Sequence, residues 1–211
     1  MLRMFLTGLL LGLSLGIAGC QTAIPIQVNE EDLIIPKTAT NIKLTMLTKA
    51  KDVRSQAVDQ VGRHTISLLM IPGPTVTTER EHLDEAIASR VRSALTSSGF
   101  TVSIVDRLDQ AKGPVLVIQI DELKNYLFSW LYPVGLVWGN MNLSLHLMSP
   151  DGKTLWNRDT DGHSGIMASL LYMSGFETRV TQDLTENVNQ ILEILVSDEF
   201  KNALMKAHGS S

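Results

Sequence analysis

Ser149-Pro150-Asp151-Gly152-Lys153 constrains this chain more than any other segment. Pro presets one backbone angle, Asp bonds back onto the turn, and Gly accepts the left-handed conformation, so the five residues read as a tight turn. On one side Leu143, Leu145 and Leu147 alternate with Asn142, Ser144 and His146; on the other, Thr154 to Ser164 reads as the returning strand. An antiparallel hairpin is expected, with partner positions summing to about 303. That register puts Gly139 near Ser164, so residues 126–138 and 166–173 leave the hairpin at one end of the sheet.

Ile42, Leu44 and Met46 alternate as in a half-buried strand, and His64 to Met70 reads as a second, closed by Pro72-Gly73-Pro74. Leu83, Ile87, Val91 and Leu95 recur every four residues, an amphipathic helix ended by Ser98-Gly99. Thr77 or Thr78 is its expected cap, with Glu79 and Glu81 in the first turn, where the helix dipole favours acids. Phe100, Val102 and Ile104 form a short strand, and Val115 to Ile120 suits a central one. Val180, Leu184, Val188, Ile191, Leu192 and Leu195 make one stripe of a long C-terminal helix, kinked near Ser197-Asp198. The order ββ-α-ββ-ββ-α predicts an α+β domain, an antiparallel-rich sheet with two main helices packed on it.

The N-terminus specifies an address. After Arg3, residues Met4 to Ile17 carry no charge. A stretch of about 14 residues spans roughly 21 Å as a helix, short of the ~30 Å hydrocarbon core, so it reads as a signal-peptide h-region. It runs into Ile17-Ala18-Gly19-Cys20, and Cys20 is the only cysteine. The expected divisions are a signal peptide over 1–19, a lipidated N-terminus and tether over 20–40, a single domain over 41–208 and a tail over 209–211. In the tether reading, residues 21–40 sustain no period of 2 or 3.6, although Ile24, Ile26, Leu33, Ile34 and Ile35 can dock locally. Extended, 20 residues reach at most ~65 Å.

The run Ile17-Ala18-Gly19-Cys20 resembles the bacterial lipobox. The resemblance implies acyl chains on Cys20, two or more of which hold a protein stably on a membrane. With Gln21 rather than Asp after the cysteine, it also implies the outer membrane of a Gram-negative bacterium, facing the periplasm. A lipobox, a tether, Asp52-x-Arg54, the helix end Ser98-Gly99-Phe100-Thr101-Val102, a hairpin pair and a C-terminal helix together resemble the YajG-type small envelope lipoproteins. The order of elements is similar also to the auxiliary lipoproteins of envelope ABC transport systems. Neither resemblance brings a catalytic residue, and the aromatic stretch at 126–138 departs from the YajG type.

Lys plus Arg total 18 against 22 for Asp plus Glu, which excludes a nucleic-acid grip built on phosphate neutralisation. No cofactor motif is present in the sequence. Asp159, Asp161 and His163 share one face of a strand by the period of two, a carboxylate–imidazole set that suits a divalent metal, although exposed strands collect such residues anyway. Asp52 and Arg54 read as a structural ion pair.

The informative segment is apolar. Residues 126–138 hold Tyr126, Phe128, Trp130, Tyr132 and Trp138, five of the chain's eleven aromatics, together with Leu131. Residues 166–173, with Leu170, Leu171 and Tyr172, are a second uncharged run. Joined at one end of the sheet, they form either core or a surface for a protein or a membrane interface. The favoured expectation is a non-catalytic, lipid-anchored accessory or scaffold domain that binds an envelope protein partner through this patch. The alternatives are a lipid-handling auxiliary of an envelope transport system and a metal-dependent hydrolase at Asp159, Asp161 and His163.

Overall fold

The computed structural model describes residues 22–36, 42–57, 59–66, 71–79, 81–131, 134–162, 165–169 and 172–209. The fold is α+β, with ten strands and three helices among these residues. Two strands organise it: β7 (Val115–Leu131) and β8 (Val134–Met148), 17 and 15 residues long and paired antiparallel from end to end. Most strands run 3–10 residues, and this hairpin is long enough to serve two half-sheets. In its lower half β7 is flanked by β2 (Lys43–Leu47) and β3 (Lys51–Asp52), with β6 (Thr101–Val105) beyond β2, while β9 (Thr154–Gly162) lies along β8. In the upper half β7 is flanked by β4 (Gln60–Ile66), then β5 (Ile71–Thr78) and β1 (Thr22–Ile24), while β10 (Met167–Ser169) lies along β8.

The register of β8 with β9 is the one read from the turn. Met141 pairs with Gly162 and Leu147 with Trp156, each summing to 303, and Gly152 closes the turn at φ 87°. The sheet is antiparallel-rich as expected, through β7–β8, β8–β9, β4–β5 and β10–β8, but mixed, because β1, β2, β3 and β4 each join a neighbour in parallel. Residues 71–79 differ from expectation too. Pro72-Gly73-Pro74 lie inside β5, not in a closing turn, at a point where β1 leaves the outer edge free and a missing N–H costs no ladder bond.

Helix α1 (Leu83–Ser97) buries Leu83, Ile87, Val91 and Leu95, as its spacing requires. Its start lies later than Thr77 or Thr78, which belong to β5; the Leu83 N–H meets the Asp59 carboxylate at 3.4 Å instead. Helices α2 (Tyr172–Val196) and α3 (Asp198–Gly209) meet at the expected break. Residues of all three helices enter one core cluster with Leu116, Ile118, Ile120, Leu143 and Leu145. Helix α2 sits close to the sheet: Cβ atoms at Gly62 and Gly162 would overlap Phe176 and Asn187. Buried polar groups hold it there: the Asn187 amide donates to the Met141 carbonyl at 2.8 Å, and Arg179, paired with Asp183, donates to that of Gly139 at 3.1 Å.

The expected tether is built into the domain over residues 22–36. Ile24 and Ile26 are 2% and 4% exposed, within the core cluster. The Glu79 N–H donates to the Ile24 carbonyl, and Arg90 Nε to that of Ile26. Farther along, Asn29 and Ile34 donate their N–H groups to Thr185 and Asn189 of α2. Burying isoleucines outweighs the chain entropy that keeps a polar linker free. The reach calculated for a free linker therefore does not apply to this segment.

Candidate functional site: the uncharged aromatic end of the sheet

Residues 126–138 are ordered strand up to Leu131 and again from Val134, and their alternation divides them between two faces. Leu127 and Val137 are partners, both buried in the core cluster. Their neighbours Tyr126 and Trp138 are also partners and turn the other way. Their rings stack at 5.8 Å with 23° between planes, and they are 39% and 38% exposed. One step on, Phe128 is half-buried against its partner Leu136, which is 44% exposed. The stretch is thus core on one side and surface on the other. Trp130 and Leu131 lie in β7, and Tyr172 opens α2, but their side chains, and Tyr132, Leu170 and Leu171 altogether, lie outside the described residues.

The second apolar run meets the first as the register required. Met167 pairs with Val137 and Ser169 with Gly135, which draws the β10 run alongside the aromatic strand, and Ile166 before it is 73% exposed. On the opposite side of the hairpin Arg63 pairs with Tyr126 and Thr65 with Phe128. Arg63 is exposed and has no ion pair among the described residues, whereas Lys124 is bridged to Glu122. That hydrogen-bonded bridge holds the Glu122 carboxyl below and the Lys124 ammonium above their ordinary values, so both stay charged near neutrality. Arg63, Lys124 and Tyr126 line a shallow cavity of about 240 Å³ together with Gln56 and Gln60.

Below this level the same face becomes polar. Asp121 accepts from the Ser144 hydroxyl and from Gln119, and Glu122 from Asn140. Asp159 and Asp161 are exposed on β9, opposite Ser144 and Asn142. His163 lies outside the described residues, and no three metal-ligating side chains gather among those described. Asp52 and Arg54 form the expected pair, with Nε and Nη2 of Arg54 donating to the carboxylate at 2.9 and 2.7 Å and Nη1 reaching the Gln60 carbonyl. Cys20 lies outside the described residues.

The sequence reading missed β1, and with it the level at which the chain joins the sheet. Its signal was the alternation Ile24, Ile26, Val28, short and interrupted by Pro25.

No family model matches the chain, and no curated protein matches it. Solved structures do. One, described as a putative neuraminyllactose-binding hemagglutinin homolog from Helicobacter pylori, superposes with a TM-score of 0.50 and 10% identity over 87% of this chain and 99% of that one. Protein XCC0632 from Xanthomonas campestris, of family DUF330, gives 0.47 with 16% identity over 82% and 94%. At 10% identity the likeness to the Helicobacter protein concerns the fold alone. No described helix is long and apolar enough to cross a membrane.

Proposed function

We propose that this chain is a lipid-anchored, non-catalytic accessory domain, a scaffold within an envelope assembly at the periplasmic side of the outer membrane. Cys20 carries the acyl chains, and the aromatic end of the β7–β8 hairpin is the docking surface. One observation carries the docking role: Tyr126, Trp138 and Leu136 are held in regular strand with their side chains at the surface, while their alternates Leu127 and Val137 already fill the core. Ordered aromatics that the core does not need are the kind of surface that meets another apolar one. The likeness to YajG-type lipoproteins points to the same compartment.

In-cell photo-crosslinking from Leu136, with Leu155 of β9 as the control position, tests it. Adducts to another molecule at Leu136 and none at Leu155 are expected. Crosslinks confined to the chain itself would remove the docking surface from the proposal.

A further inference from the structure

The register brings the anchor and the aromatic end to one level. Thr22 pairs with Val76, Val76 with Gly62, and the residue after Gly62 is Arg63, the partner of Tyr126. Thr22 therefore lies one rung from the level of the Tyr126–Trp138 stack, three strands across the sheet from β7. Cys20 is two residues earlier, and two residues span at most about 7 Å. Strand β1 runs parallel to β5, away from the Ile66–Ile71 end, so Thr22 is the end of β1 nearer the hairpin tips.

Charge stops at the same level. Residues 64–78, 125–150 and 162–176 contain no Asp, Glu, Lys or Arg. Beyond the Tyr126–Trp138 rung every described residue of β4, β5, β7, β8 and β10 is uncharged, and so is the sequence of the connections between them. Where charge resumes on β4 and β7, the first residues are the cations Arg63 and Lys124. From the tip inward the order on β4 and β7 is uncharged, then the Tyr126–Trp138 rung, then cationic, then polar.

We propose that the occupant of this end is the bilayer surface itself, with the Tyr126–Trp138 stack at the glycerol level, Phe128 and Leu136 in the outer acyl region, and Arg63 and Lys124 at the lipid phosphates. The proposal rests on the reading of Cys20 as the lipidated residue and names what its docking surface meets. Trp and Tyr belong at that boundary because each joins an apolar ring to a polar tip, and cations near an anionic headgroup plane gain from its potential. From Tyr126 to Leu131 is five residues, about 16 Å of strand, so the end reaches roughly into one leaflet of a ~30 Å core and no farther. Acyl chains on Cys20 in a membrane bring the Thr22 edge of this level to its surface. The domain then lies against the bilayer.

The test uses the full chain expressed and processed in cells, purified, and reconstituted in vesicles of phosphatidylethanolamine and phosphatidylglycerol with brominated acyl chains. Trp130→Phe with Trp156→Phe leaves Trp138 as the reporter; Trp130→Phe with Trp138→Phe leaves Trp156, which packs on Phe200 of α3. Each change keeps a ring in place. Quenching at least threefold stronger for Trp138 than for Trp156 is expected, and Leu136→Glu or Arg63→Glu in the first background should lower it at least twofold. Equal quenching, on a chain whose intact mass shows acylated Cys20 and which floats with the vesicles, would overturn the bilayer proposal and leave the anchor standing. An unacylated chain that does not float would overturn the anchor, and this proposal with it.

Discussion

Replacing Ile24 and Ile26 together by Ala should free the N-terminal segment without unfolding the domain. Both side chains are nearly inaccessible, and each loses three methyl or methylene groups on truncation to Ala. Substitutions of this kind cost about 2–5 kcal/mol apiece. What remains to hold residues 22–36 is the half-buried Val28 and Leu33 against the core and hydrogen bonds each worth about 1 kcal/mol net. Since the segment adds only a short edge strand, its loss leaves the pairing of β7 with β8 intact. Hydrogen exchange reads this directly. The Glu79 amide, which donates to the Ile24 carbonyl at 2.8 Å, should exchange at least a hundredfold faster, while amides of Ile118 and Leu145 keep their protection. In the reconstituted lipoprotein the freed segment recovers a reach of up to ~65 Å, and Trp138 should lose most of its quenching. Unchanged exchange at Glu79 would refute the reasoning. So would equal loss of protection in β7 and β8, since the segment would then be part of the folding unit rather than docked on it.

Two further perturbations probe the domain. Gly162→Ala places a Cβ 2.5 Å from the Asp183 carbonyl of α2 and on the Asn187 amide, so a loss of about 1–3 kcal/mol is expected by thermal or urea unfolding; Gly165→Ala, which meets nothing within 4 Å, is the matched control, and equal effects would refute the close-packing account. His64 is 3% exposed, and burial holds its imidazole below the usual 6.5. The unfolded chain therefore binds a proton more readily than the folded one, so the stability is complete above about pH 6.5 and declines as the pH falls below it. Melting temperatures between pH 7.5 and 5 should show this decline, and His64→Gln should flatten it; an unaltered slope would place its origin elsewhere.

Local chemistry alone determined the hairpin at Ser149–Lys153, its register, helix α1 and the break before α3. A turn dictates the pairing of the strands beside it, and a 3.6-residue stripe is legible within a dozen residues. The alternating Leu143, Leu145 and Leu147 were legible as core because polar neighbours marked the other side. Residues 126–138 offered no such contrast: apolar on nearly every position, they could not show which rings were core and which were surface. Only the packing of the core cluster, which takes in Leu127 and Val137, decided that Tyr126, Leu136 and Trp138 remain outside. The same holds for residues 22–36, which resemble a linker until β5 offers them an edge and the core cluster a place for Ile24 and Ile26. That the chain joins the sheet one rung from the level of the aromatic stack follows from parallel pairings across some fifty and sixty residues of sequence. Parallel partners share no turn, so nothing local encodes them.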